Sequence, residues 1–469
     1  MLFNSPIFIG FLLITLMVYY MPFLAKLQLH LLVIASLFFY SYNQPYLVLL
    51  LLFSVFINIV FSYLIVYGNR NYEYLYAALG VILNLSILII FKYSGLFLSL
   101  ITFSKGGILQ TISTLPLPIG ISFFTFQGIS LIVDVYKSSN SERQIIIPHS
   151  FKVHALRIVF FKGFFPQLIS GPIVKAKEFL PQIEIKFYKD IDWEVVIQNL
   201  ILGYFLKMVV ADNLKEYTFW IAFPYFKSVA SLHLILLIFA YSCQIFADFA
   251  GYSLIAIGLA RLFGYKFPVN FNYPYISTSL KDFWRRWHIS LSTFLMQYLY
   301  VPLGGNKLGN FRMYLNLMIV MILGGFWHGA AWSYAIWGAV HGVALAGERY
   351  LLNSITIIRY SNAIKLIKGI FVFVFVSFAW LLFKLPNIGD VKEFFIACIS
   401  NGNITLDIQT LIYILIYSSP IFFLHLYYLI KAKLNKILIN FIEPILYSVL
   451  LFLIFFNSGS SGEFIYFQF

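Results

Sequence analysis

Charge is scarce in this sequence. Asp, Glu, Lys and Arg together make up 11% of its 469 residues, against roughly 25% in an average soluble domain. So little charge cannot cover a water-facing surface, which excludes a soluble enzyme and a disordered protein. Cysteine is scarcer still. Cys243 and Cys398 lie far apart, each in apolar surroundings, and make neither a disulfide framework nor a metal-ligand spacing. They read as buried small hydrophobes. An internal repeat is also missing, although many secondary transporters show paired halves with broken helices. No Lys or Arg precedes the first apolar segment, 6–25, so it lacks the basic n-region of a removable secretory signal.

What is present is apolar. Hydrophobic residues make up 61% of the chain and aromatics 20%, with 52 Phe, 33 Tyr and 8 Trp. At ~20 residues per crossing, that content bounds the spans near ~14. Stretches of spanning length recur at 6–25, 28–42, 45–67, 74–92, 115–136, 196–210, 231–260, 312–326, 330–347, 366–385, 408–430 and 441–457. Shorter ones near 94–103, 155–170 and 288–303 suit re-entrant or interfacial segments. The expected fold is all-α: a polytopic transmembrane helical bundle of eleven or more spans, forming one domain over 1–469.

Lys and Arg number 32 against 18 acids, a net +14. Nucleic acid would require an exposed basic face; the positive-inside rule explains the excess better. The most polar long region, 137–195, carries nine basic residues from Lys137 to Lys189 and is expected on the cytoplasmic side. So are 261–286 and 431–436. Lys26, the first basic residue, follows the first segment and favours an N-terminus outside.

Ionisable residues inside spanning helices tend to mark function. Of the eight His, His30, His233 and His425 are isolated on apolar stretches and read as packed or interfacial. His149 and His154 lie in the basic region and are expected to face solvent or headgroups. His328 sits in Gly324-Gly-Phe-Trp-His-Gly-Ala-Ala-Trp332, where small residues let a backbone or thin substrate approach and Trp327 and Trp332 can wall off water. A neutral imidazole there suits a general base; packing by hydrogen bonding is the equal alternative. His341 follows thirteen residues later, ~20 Å away on a continuous helix, so the two share a site only if the glycine-rich run breaks the helix. His288 closes Asp282-Phe-Trp284-Arg285-Arg286-Trp287-His288. The Arg pair reads either as an interfacial anchor or as a site for a phosphate-bearing anion.

In order, Phe246-Ala-Asp248-Phe-Ala-Gly251-Tyr252-Ser253, Asn270-Phe-Asn-Tyr-Pro-Tyr275, Asp282 to His288, Tyr300-Val-Pro-Leu-Gly-Gly-Asn306, Phe326-Trp-His328-Gly-Ala-Ala-Trp332 and His341 closely resemble the membrane-bound O-acyltransferase family. The branch is the bacterial one that O-acetylates alginate or peptidoglycan and transfers D-alanine to teichoic acid. Leu117 to Gln127, Phe165 to Ile173 and the end Phe464-Ile-Tyr466-Phe-Gln-Phe469 fit the same branch. The core motifs fall within 115–345 and the aromatic tail within 462–469.

The resemblance implies a multi-pass protein of the bacterial inner membrane, with acetyl-CoA as cytoplasmic donor and no metal or other cofactor. It makes His328 the essential histidine, His288 a second polar position of the core and His341 a recurrent histidine. Asp248, Asp282, Trp284, Arg285 and Arg286 become supporting or donor-side. Tyr466 reads as an interfacial aromatic or, by the resemblance, as an acyl carrier that needs a base because a phenol titrates near ~10. An extracytoplasmic esterase-like partner would then complete transfer onto a polysaccharide acceptor. A tyrosine motif ending the main chain points to acetylating members. Richness in Ile, Phe, Lys, Asn and Tyr, as AT-rich genomes encode, leans toward peptidoglycan over alginate. The rivals are a polysaccharide transporter and a structural subunit that recruits an external acetyltransferase.

Overall fold

The computed structural model describes residues 1–42, 44–100, 118–139, 145–168, 171–354, 361–405, 407–460, 462 and 464. Among them there are helices and turns but no strand, and the all-α expectation is borne out. With no water in a bilayer core, a helix satisfies its own backbone. Among the described residues, nine of the twelve anticipated stretches correspond to helices long and apolar enough to cross: Pro22–Ser41, Leu47–Tyr67, Arg70–Leu96, Trp193–Ile221, Ser231–Leu262, Gly309–His328, Asn362–Lys384, Ile408–Lys431 and Lys436–Phe456.

The other three are helical too. Pro6–Tyr19 is 14 residues long, whereas Ile121–Ser139 and Trp332–Ser354 carry more polar side chains. The short segments differ among themselves. Nothing in Tyr93-Ser94-Gly95 interrupts the helix Glu73–Leu100, so 94–100 continues the preceding span instead of re-entering. Phe151–Gly163 has 13 residues, about 20 Å of helix, and falls short of a ~30 Å hydrocarbon layer. Residues 289–300 form Ile289–Leu295 followed by a π turn, Met296–Tyr300.

Packing divides the chain into two compact units, 1–200 with 253–268, and 201–252 with 269–469. In the first, Leu47–Tyr67, Glu73–Leu100 and Ile121–Ser139 pack on one another, and Gln28–Ser41 packs on Phe151–Gly163. Its interior is polar in places. Asn58 donates to Asn84 Oδ1 at 3.0 Å, and Lys162 Nζ donates to Ser54 Oγ at 2.7 Å. His154, expected at solvent or headgroups, is buried instead, with Nε2 2.9 Å from Ser62 Oγ. Its helix turns that side inward, where the serine satisfies the ring.

The second unit is built on the hairpin of Gly309–His328 and Trp332–Ser354. A Cβ on Gly325 would lie 2.1 Å from Tyr334 O, and one on Gly338 would lie 2.2 Å from Met321 O. Glycine at both positions lets the two backbones touch, the device by which small residues bring membrane helices together.

Candidate active site

The hairpin decides where two of the histidines go. At Gly329 the chain leaves helical geometry for an extended one, φ −163° and ψ 159°, and the next helix starts at Trp332. The glycine-rich run therefore breaks the helix, and the ~20 Å separation does not apply. Trp337 packs against both rings, its centroid 5.4 Å from that of His328 and 4.7 Å from that of His341. Phe383 closes on His328 at 5.0 Å, and Trp284 on His341 at 5.3 Å.

His288 arrives from another direction. It lies between the helices Leu280–Arg286 and Ile289–Leu295 in a left-handed conformation, φ 42° and ψ 54°. For an L-residue that geometry is strained, and such residues concentrate where function requires them. Neighbouring peptide groups hold it. Asn272 N donates to Arg286 O and Ile289 N to Asn270 O, both at 2.9 Å. Fully buried, the ring sits 6.1 Å from that of His328 and 5.6 Å from that of Trp327.

His288, His328 and His341 are thus buried together among Trp and Phe rings. Neither ring nitrogen of His341, nor Nε1 of Trp284 or Trp337, has a hydrogen-bond partner among the described residues. Buried donors and acceptors nearly always find partners, so these atoms mark a place where a ligand's polar atoms belong. Indole N–H groups in a dry surround can stabilise an oxyanion.

The remaining predicted residues fall outside this cluster. Arg286 Nε pairs with Asp282 at 3.0 Å, four residues back on one helix, and its Nη1 donates to Asn272 O; the pair ties the loop that carries His288. Arg285 is exposed. Asp248 binds Lys207 Nζ at 2.8 Å, which also meets Asp212 at 2.6 Å, all three buried. Tyr466 lies outside the described residues.

Sequence reasoning passed over Lys207, Asp212 and Phe383. Lys207 was findable: a lone lysine in the apolar stretch 196–210 demands a buried acid, and Asp248 stands in another span. The other two carry no local signal.

Residues 149–386 match the profile of MBOAT, the membrane-bound O-acyltransferase family. A peptidoglycan O-acetyltransferase from Helicobacter pylori is 36% identical over 420 residues, 83% of this chain and 78% of that one. A probable alginate O-acetylase AlgI from Azotobacter vinelandii is 36% identical over 335 residues, 70% of this chain and 64% of that one. A teichoic acid D-alanyltransferase from Bacillus subtilis is 31% identical over 237 residues, 48% of this chain and 58% of that one.

Proposed function

The chain belongs to the membrane-bound O-acyltransferase family, and on that premise we propose that it carries an acetyl group from cytoplasmic acetyl-CoA across the bacterial inner membrane for O-acetylation of peptidoglycan. That it is an integral membrane O-acyltransferase follows from the family itself. Donor, direction and acceptor are our reading. The observation that carries it is the burial of His288 and His328 with rings 6.1 Å apart inside an aromatic enclosure.

In this reading a ring nitrogen of His328 takes the proton of an attacking hydroxyl. The oxygen adds to the thioester carbonyl, and the tetrahedral intermediate collapses with loss of the thiolate. The imidazolium returns the proton to that thiolate, leaving an ester and a free thiol. His288 lines the same site, and an indole N–H of Trp284 or Trp337 faces the oxyanion. The attacking hydroxyl is the Tyr466 phenol, whose aryl ester is activated enough to pass acetyl to an esterase-like protein outside. That partner delivers it to sugar hydroxyls. Peptidoglycan is favoured over alginate because the similarity to the peptidoglycan O-acetyltransferase extends over more of both chains.

The test is reconstitution in liposomes with labelled acetyl-CoA. Wild type should cleave the thioester and place label on the C-terminal peptide. His328→Ala should lose ~10²–10⁴-fold of the rate, as for removal of a general base, while remaining in the membrane. Cleavage at the wild-type rate in that variant refutes the mechanism, and label persisting in Tyr466→Phe refutes the carrier.

A further inference from the structure

The last described residues are seated on a distorted helix. Helix Trp193–Tyr204 runs into a π turn, Phe205–Ala211, and resumes as Asp212–Thr218. Such turns widen a helix by one residue, recur at functional sites, and leave backbone groups open to outside partners. Here Gly459 N donates to Met208 O at 2.9 Å. Asn213 Nδ2 bridges Val209 O at 2.8 Å and Asn457 O at 3.0 Å, and Ser460 Oγ donates to Glu216 Oε1 at 2.9 Å.

Backbone excludes a side chain at Gly459, and side-chain ends crowd one at Gly462. A Cβ on Gly459 would lie 2.7 Å from Asn213 N and 2.8 Å from the Asp212 carbonyl carbon. One on Gly462 would lie 2.9 Å from Asp212 Oδ1 and 3.0 Å from Lys215 Nζ. Within the turn, the buried Lys207 amine lies between Asp212 and Asp248 and 5.3 Å from the Tyr252 ring centroid. Phe464 is fully buried, its ring 4.5 Å from Tyr252 and 5.8 Å from Phe249, and Phe249 lies 4.6 Å from His288. An unbroken line of ring contacts joins the docked segment to the histidine site.

We propose that this seat positions the C-terminal segment for acyl transfer: Gly459, bonded to the π turn, and Gly462, set against Asp212 and Lys215 on the helix that follows it, are positioning residues, braced by the charge cluster of Lys207, Asp212 and Asp248. The proposal rests on the reading that the C-terminal segment takes part in transfer. It explains why a costly buried charge cluster stands at a helix distortion: the cluster fixes the turn whose carbonyl receives the segment.

The experiment uses the full chain in nanodiscs: wild type, Gly459→Val, Gly462→Val, and Asn213→Ala, which removes the bridge without adding bulk. Carboxypeptidase digestion followed by intact mass reads the seat. Wild type should retain Phe464, whereas the variants should be trimmed past it at least ~10-fold faster. Acetyl transfer from labelled acetyl-CoA reads the consequence: kcat falls ~10-fold while KM for acetyl-CoA stays within about twofold. Phe464 retained in all the variants overturns the seat. Phe464 lost with kcat unchanged overturns the positioning role. If a valine variant fails to fold, Asn213→Ala decides both points. A wild type that cleaves no acetyl-CoA refutes the proposed function, and the digestion still judges the seat.

Discussion

Asn270 grips Ser290 twice, its Oδ1 accepting from the backbone N at 3.3 Å and from Oγ at 2.8 Å. With the Asn270 O to Ile289 N bond, this fixes the peptide that follows His288 and so the direction of the imidazole. Asn270→Ala removes both side-chain bonds to Ser290, a net loss of about 0.5–1.5 kcal/mol each. Since a ~1 Å misplacement can cost ~10²-fold in rate, kcat should fall ~10–100-fold with the protein still folded. Steady-state kinetics beside a thermal melt checks this; full activity would mean His288 is held by other means.

Trp284 and Trp337 offer indole N–H groups with no protein acceptor among the described residues. Replacing either by Phe keeps most of the ring and removes the donor. The one that serves the tetrahedral intermediate should lose ~10²–10³ in kcat with little change in KM. Wild-type kcat in both variants would assign the oxyanion to other donors.

Gly325 touches the backbone of Tyr334. Gly325→Ala should cost about 1–3 kcal/mol through overpacking, and Gly325→Val more. The same Ala change at Gly347, inside its helix where a Cβ meets nothing within 4 Å, should leave stability unchanged or raise it by up to about 1 kcal/mol. Thermal unfolding in one detergent compares the two; equal shifts would contradict the close approach.

Lys207→Met leaves Asp212 and Asp248 buried without their cation. Breaking a buried pair from one side costs about 3–5 kcal/mol, so the variant should melt well below wild type. Adding Asp212→Asn and Asp248→Asn removes the stranded charge and should restore much of the loss. No rescue would show that Lys207 matters for something other than these carboxylates.

How far the molecule was legible depends on the range of the interaction. Helices such as Leu47–Tyr67 are written locally, since twenty apolar residues leave the backbone no alternative in lipid. The three-histidine cluster was half legible: His328 and His341 stood out as polar residues among small ones, but their meeting depended on whether the chain broke at Gly329. The His288 loop was recognisable as a motif, yet its restraint by Asn270 depends on a contact across twenty residues. The seat for Gly459 was not legible. It arises from a π turn, which leaves no mark in an apolar stretch, and from segments some 250 residues apart in sequence.

The left-handed backbone at His288 also limits what can stand there. Only Gly, Asn, Asp and His visit that conformation with any frequency, and β-branched or bulky residues are outliers in it. Three of those four bear a group that can donate or accept a hydrogen bond. The loop therefore selects chemistry before any substrate is present: among replacements that preserve the fold, most keep a polar side chain facing the site. A lineage drifting at this position would exchange one hydrogen-bonding group for another more readily than it would lose the function.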